Sequence, residues 1–357
     1  MEPLNQALAA FALRGAPLYA GRYGSGHIND TYAVACDSGL MYIVQRVNGT
    51  VFPKPWELME NIAAVTAFLG RRTADPRRCL RLVPTRDGGP CFVDDQGGYW
   101  RAFPFISNSV CLQAPTRPED FYQSGVAFGA FQRQLADFPA ATLHEPIPNF
   151  HNTPDRYRKL HQALAEDPLG RAKDCQAEIR AYLDREAGAD SIVKGLAEGA
   201  LPLRVTHNDT KLNNVMLDYD THEALCVIDL DTIMPGSALY DYGDSIRFGA
   251  ATAAEDERDF GRMGLDLELF RTYTRGFLSA CGDSLTEREL RMLPVGARLM
   301  TLECGVRFLT DYLSGDTYFK ISREGHNLDR ARTQLRLVED MERKWKEMEQ
   351  IVKEVRA

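Results

Sequence analysis

The sequence predicts a two-lobed α+β protein, a small antiparallel-sheet lobe followed by a mainly helical one, and three observations predict it. At 357 residues the chain exceeds what a single core usually organises. Its first third carries period-two runs of β-branched and aromatic residues broken by turn-formers, whereas the remainder is patterned for helices from about Thr116. One β-hairpin is embedded in that remainder, so strands come first and helices after, as in α+β folds. The lobes are expected at residues 1–106 and 107–357.

Leu4 to Leu13 carries apolar residues at helical spacing and stops at Gly15. Thr31–Ala35 and Met41–Val47 read as a hairpin around the turn Asp37-Ser-Gly, and a helix follows from Trp56 to Leu69. Short strands are expected at Leu80–Pro84, Cys91–Val93 and Tyr99–Ile106. Thr116-Arg-Pro-Glu119 has the form of a capping box, and the helix it opens carries Gly125 and Gly129 one turn apart, a mark of close helix packing. Further helices are expected at 174–185, at 253–278, at 284–313 with a break at Pro294, and as one long amphipathic segment over 329–355. In that last segment Leu335, Met341, Trp345, Met348, Ile351 and Val355 read as core packing, with a dimer seam as the alternative.

The composition narrows the function. With 42 basic against 50 acidic residues the net charge is -8, so no global basic field is present to hold nucleic acid or an anionic membrane. No apolar run is long enough to span a bilayer. Eight cysteines without a CxxC pair or Cys/His cluster argue against a structural zinc site and read as reduced thiols in a cytoplasmic protein. The N-terminus lacks the basic and apolar regions of an export signal. No obligate protein partner is indicated.

The chemistry lies in RVTHNDTKLNNVMLDYDTHEALCVIDLDT, residues 204–232. Val215–Leu217 and Ala224–Ile228 are strand-like and joined by a turn, so closing the hairpin gathers Asp209, Asn214, Asp229 and Asp231 at one end. Carboxylate and amide oxygens of this kind suit Mg²⁺, which usually shares its coordination with substrate phosphates. His207-x-Asp209, with Asn214 five residues on, reproduces the kinase catalytic-loop pattern H-x-D-x-x-x-x-N, and Lys211 stands two residues after the aspartate. In that arrangement Asp209 takes the acceptor proton, Asn214 and Asp229 hold metal, Lys211 faces the γ-phosphate and His207 stiffens the loop. Gly24-Ser25-Gly26-His27, ahead of the first expected strand, offers backbone amides to phosphate; a plain turn is the alternative. The third-strand lysine of protein kinases is replaced by Gln45.

His207-Asn-Asp-Thr-Lys-Leu-Asn-Asn-Val, Val227-Ile-Asp-Leu-Asp and Gly236-Ser-Ala-Leu-Tyr-Asp-Tyr-Gly-Asp-Ser resemble the aminoglycoside and choline kinase superfamily, whose fold is protein-kinase-like. Within it these strings, with Gly24-Ser-Gly-His-Ile-Asn-Asp, are similar to the N-acetylhexosamine kinases, nearly end to end. The resemblance implies ATP as co-substrate, Mg²⁺ as cofactor, and transfer to the anomeric C1 hydroxyl of N-acetylglucosamine or N-acetylgalactosamine. It implies Asp209 and Lys211 as catalytic, Asn214 and Asp229 as metal ligands, and Gly24, Ser25, Gly26 and His27 as nucleotide-facing. Arg101, Phe103 and Phe105 would lie in a hinge whose backbone meets adenine. Asp209, His27, Arg307 and Tyr318 would face the sugar, and His207, Asp231 and Asp241 would support the loops. Glu303, Arg307 and Asp311 share a helix face at i,i+4 spacing, which equally fits a surface ion-pair ladder. The alternatives are another acceptor on the same fold (choline, homoserine or an aminoglycoside) and a nucleotide-binding module without catalysis. A cationic acceptor would want a cluster of acidic and aromatic residues in the large lobe.

Overall fold

The structure, a computed structural model, describes residues 2–24 and 28–356. In chain order the elements begin with α1 (Pro3–Ala10), β1 (Pro17–Arg22), β2 (Asp30–Cys36), β3 (Met41–Arg46), α2 (Pro55–Arg72), β4 (Phe92–Val93), β5 (Tyr99–Pro104) and β6 (Ser109–Val110). There follow α3 (Pro118–Gln134), α4 (Thr153–Glu166), α5 (Gln176–Leu183), α6 (Ser191–Ala197), β7 (Arg204–Thr206), β8 (Val215–Asp218), β9 (Ala224–Val227) and β10 (Met234–Gly236). Helices α7 (Ala238–Gly249), α8 (Leu267–Cys281), α9 (Glu287–Leu313), α10 (His326–Arg343) and α11 (Trp345–Arg356) complete the chain. The chain divides into two compact units, Met1–Cys111 with Gln134–Pro148 and Val215–Pro235, and Leu112–Arg133 with Asn149–Asn214 and Gly236–Ala357.

The first unit is built on a five-stranded sheet in the order β1-β2-β3-β5-β4, with antiparallel pairing. Alternation fixes its two faces. Val34, Tyr42, Val44, Trp100 and Ala102 pack under Ala7 and Phe11 of the leading segment. The intervening positions, among them Thr31, Gln45 and Arg101, belong to the other face and are paired across the strands. The hairpin β8-β9 carries β6 as a third strand, with Val215 opposite Val227.

Strand β1 was not expected: it is an edge strand whose Leu18 and Tyr19 are both exposed, so it shows no alternating burial. Conversely, Leu80–Pro84 is not a strand; Val83 N–H donates to Ala102 at 2.8 Å, but Pro84 has no N–H to continue a ladder.

The second unit is helical. Gly125 and Gly129 lie where α3 meets α8, as their spacing suggests: a Cβ on Gly125 would stand 2.5 Å from the Tyr273 carbonyl oxygen. The residue capping α3 is Asp120, whose carboxylate accepts from Thr116 Oγ1 at 2.7 Å, and not Glu119. The expected helix over 253–278 begins only at Leu267, where Asp266 caps the N–H groups of Glu268 and Leu269. Pro294 does not break α9: the helix is buried around it, at Leu293, Gly296 and Ala297, and packing overrides propensity. The long C-terminal segment is two helices, turned at Lys344, whose Nζ reaches the Leu265 carbonyl at 2.7 Å and Asp340 at 2.9 Å. Helix α7 was missed because Asp241, Asp244, Ser245 and Arg247 mask its pattern, yet all four are buried. Among the described residues no helix is long and apolar enough to cross a membrane, and all eight cysteines are free.

Candidate active site

In the second unit the segment after β7 is set from below by Asp241 on α7. Its fully buried carboxylate accepts from the backbone N–H groups of His207 at 3.0 Å and Asn208 at 2.8 Å, and from Gln132 Nε2 at 2.6 Å. Burial pushes the Asp241 carboxyl up, against the pull of His207 and those donors. The His207 ring is fully buried, edge-on to Phe128 and Phe131 at 5.5 and 6.0 Å. Asn208 takes a left-handed backbone, φ 66°, which asparagine tolerates. The loop is thereby turned so that Asp209 stands partly exposed above a rigid base.

Asp209 is held from both sides: Lys211 Nζ lies 2.9 Å from Oδ1, and Asn214 Nδ2 donates to Oδ2 at 3.1 Å and to the Asp209 carbonyl at 2.8 Å. Asn214 is itself buried, and its amide nitrogen is committed to Asp209 through both of these bonds. Burial would lower the Lys211 ammonium, but the charge and hydrogen bond of Asp209 raise it on balance, so it is protonated at neutral pH. Asp244, which the sequence reading overlooked, backs this loop. It accepts from Thr210 N–H at 3.1 Å and pairs with Arg247 at 2.9 Å. Burial would raise its carboxyl, but Arg247, Lys211 and His151 hold it low. Its signal was its position one helical turn beyond Asp241 on α7.

In the first unit Asp229 follows β9 with φ 60°, a left-handed conformation that glycine adopts freely and other residues rarely do. Asp231 is buried and bonds to the Arg101 guanidinium, while its other oxygen accepts from Asn29 Nδ2 at 2.6 Å. Asn29 was not singled out either, although it sits within the Gly24-to-Asp30 string. Gly24 has φ 79° and open space where a side chain would begin; Ser25, Gly26 and His27 lie outside the described residues. On β5, Phe103 pairs with Ile43, and just beyond it the Phe105 N–H is committed to the Met41 carbonyl at 2.9 Å.

Arg307 and Tyr318 come together in the second unit. The guanidinium lies 5.9 Å from the Tyr318 ring and 5.3 Å from both Phe150 and Phe319. The surface ion-pair ladder is corrected: Glu303 and Asp311 are buried. Glu303 accepts from Thr153 at 2.7 Å and pairs with His151 at 2.8 Å. Asp311 gathers the N–H groups of Thr317, Tyr318 and Phe319, which shapes the loop bearing Tyr318. Among the described residues no group of three or more His, Cys, Asp or Glu side chains is arranged to hold a metal.

Solved structures share this fold. A microcompartment-associated aminopropanol kinase is 17% identical, with 97% of each chain covered and a TM-score of 0.60. An aminoglycoside phosphotransferase from Alicyclobacillus acidocaldarius is 12% identical, covering 98% of this chain and 96% of its own, with a TM-score of 0.63. The amicoumacin kinase hAmiN, in complex with AMP-PNP, Ca²⁺ and Ami, is 13% identical over 93% and 92% of the two chains, with a TM-score of 0.58. At these identities the likeness establishes the kinase-like α+β fold. The family model APH, the phosphotransferase enzyme family, matches residues 21–276, a span that contains β1 to β10 but for the first residues of β1, the Asp209 loop and α7. The chain belongs to the phosphotransferase enzyme family.

Proposed function

We propose that the protein is an ATP- and Mg²⁺-dependent kinase that phosphorylates the anomeric C1 hydroxyl of an N-acetylhexosamine, N-acetylglucosamine or N-acetylgalactosamine, giving the sugar 1-phosphate. The observation that carries it is the Asp209 carboxylate, pinned between Lys211 and Asn214 on a loop anchored to Asp241. Asp209 takes the proton of the acceptor hydroxyl as that oxygen bonds to the γ-phosphorus and the bond to the β-bridging oxygen breaks, releasing ADP. Lys211 steadies the carboxylate and offers positive charge to the transferring group. Phosphoryl transfer runs through a loose, charge-spread transition state, so alignment and electrostatics of this kind supply most of the rate. Asn214 Oδ1 and Asp229 would hold Mg²⁺, which when bound neutralises phosphate charge; one amide and one carboxylate oxygen fit an ion that keeps water and phosphate in its shell. The AMP-PNP and Ca²⁺ bound to hAmiN support a nucleotide donor and a divalent ion.

The choice of acceptor rests on the sequence resemblance, and the charges around Arg307 support a neutral one. Glu303 is matched by His151 and Thr153, Asp244 by Arg247, and Asp311 by backbone N–H groups, so these carboxylates are already satisfied within the protein. The aromatic rings of Phe150, Tyr318 and Phe319 face a guanidinium, which occupies the place an ammonium acceptor would want. The test is phosphorus NMR of the product formed from N-acetylglucosamine and ATP. A phosphorus coupling to the anomeric proton is expected; phosphate at C6, or transfer to choline and not to the sugar, would overturn the assignment.

A further inference from the structure

Strand β3 carries Gln45 where a kinase would place its phosphate-holding lysine, and the structure puts a cation one strand away. Thr31, Gln45 and Arg101 lie opposite one another across β2, β3 and β5. Their side chains join into one row: Gln45 Nε2 donates to Thr31 Oγ1 at 3.0 Å, and Arg101 Nε donates to Gln45 Oε1 at 2.9 Å. Arg101 Nη1 then bonds to Asp231, which Asn29 holds from its other side at 2.6 Å. The row occupies the sheet face opposite Val44, Trp100 and Ala102, so the apolar core is not what it serves.

Two features separate this arginine from a plain structural ion pair. It is only 2% exposed, where a buried pair costs about as much in desolvation as it returns and apolar residues would fill the space as well. Its Nη2 carries no hydrogen bond among the described residues, although Nε and Nη1 are both committed. Gln45 is also the wrong residue to hold phosphate and the right one to aim an arginine: its neutral oxygen accepts from Nε, where a lysine would repel the guanidinium.

We propose that Arg101 is the relocated phosphate clamp of this kinase, its Nη2 edge directed at the α- and β-phosphates, with Gln45 and Asp231 as positioning residues. The proposal rests on the kinase reading above. An arginine held at Nε and Nη1 has its fork oriented in advance, so it loses little freedom on meeting a phosphate oxygen.

The experiment compares ADP with adenosine by calorimetry on the wild type, Arg101→Gln, Arg101→Lys and the double variant Gln45→Lys/Arg101→Gln, with thermal melts of each. A clamp on phosphate predicts that Arg101→Gln weakens ADP about tenfold to a hundredfold and leaves adenosine unchanged. Arg101→Lys, which keeps a cation beside Asp231, is expected to fold and to weaken ADP by a smaller factor, again sparing adenosine. The double variant, with its cation on the third strand, is expected to recover part of the ADP affinity. Equal losses for ADP and adenosine, or wild-type ADP affinity in both single variants, would overturn the clamp while the kinase reading stands. A wild type that binds no ADP would overturn the kinase reading and the clamp with it.

Discussion

Asp209 and Asp229 both sit at the ends of strands, but their surroundings set different tasks. Asp209 is braced by Lys211 and Asn214, so replacing its carboxylate by an amide preserves size and removes the proposed proton acceptor. Asp209→Asn is expected to lower turnover by roughly 10²- to 10⁴-fold, the usual worth of a positioned base, with ADP affinity retained; wild-type turnover in that variant would remove the role. Asp229 adds a backbone constraint, since its φ of 60° suits Asn and Gly and costs Ala of order 1 kcal/mol. Asp229→Asn should therefore keep stability and lose much of the Mg²⁺-dependent part of nucleotide binding, whereas Asp229→Ala loses both, as melts and calorimetry with and without Mg²⁺ can check. These residues stand out in the sequence because the phosphoryl-transfer pattern sets its polar residues at fixed intervals along one short stretch, and His207, Asp209, Asn214 and Asp229 match those intervals. Asp244, Asn29 and Gln132 are not, because each is defined by a partner: Asn29 acquires meaning only beside Asp231, 202 positions away.

At the scale of elements, what is legible follows the visibility of one-sided burial. Strands β2 and β3 bury alternate residues at Val34, Cys36, Tyr42 and Val44, and helix α2 hides one face and shows the other, whereas α7 buries residues all round and β1 buries almost nothing. Glycine spacing on α3 carried real packing information, and it yields a prediction with a sign. In a free helix Gly→Ala gains about 1 kcal/mol. At Gly125 the new methyl meets backbone at 2.5 Å and 2.8 Å, which a flexible side chain cannot relieve, and overpacking costs about 1–3 kcal/mol. Gly125→Ala should lower the melting temperature, and Gly70→Ala on α2, with nothing within 4 Å, should raise it. A second prediction concerns the joint between α10 and α11. Burial would raise the Asp340 carboxyl, but the Lys344 hydrogen bond, the Leu265 N–H and the charges of Lys344 and Arg343 hold it below its ordinary value. A carboxyl depressed in the folded state stabilises fully above its unfolded pKa of about 4, and that stability is lost as pH falls through the folded value. The gap in urea midpoint between wild type and Asp340→Asn should therefore be wide at pH 7 and close below about pH 4; a gap independent of pH would remove the charge-based account.

For the molecule as a whole, the organising fact is that neither compact unit is a continuous stretch of chain, since the first is assembled from Met1–Cys111, Gln134–Pro148 and Val215–Pro235. The sheet-bearing N-terminal third alone therefore lacks partners that its own residues require. Strand β6 pairs with β8. Asn61 donates to the carbonyls of His144 and Ile233, both at 2.9 Å. Arg101 answers the buried Asp231. Cutting after Cys111 leaves that guanidinium uncompensated, which costs about 3–5 kcal/mol when one partner of a buried pair is removed. An amide left unsatisfied adds about 1–3 kcal/mol. Against a total stability of about 5–15 kcal/mol for an intact domain, these losses consume most or all of what holds it. Fragment 1–111, expressed alone, is thus expected to show poorly dispersed amide resonances and no cooperative urea transition. Adding Arg101→Leu should help it, because an apolar side chain removes the stranded charge, whereas the same substitution in the full chain should destabilise by leaving Asp231 without its cation. A fragment that unfolds cooperatively with Arg101 in place would mean that the first unit does not depend on Asp231, and that the pairing across 130 positions of sequence is incidental to its stability.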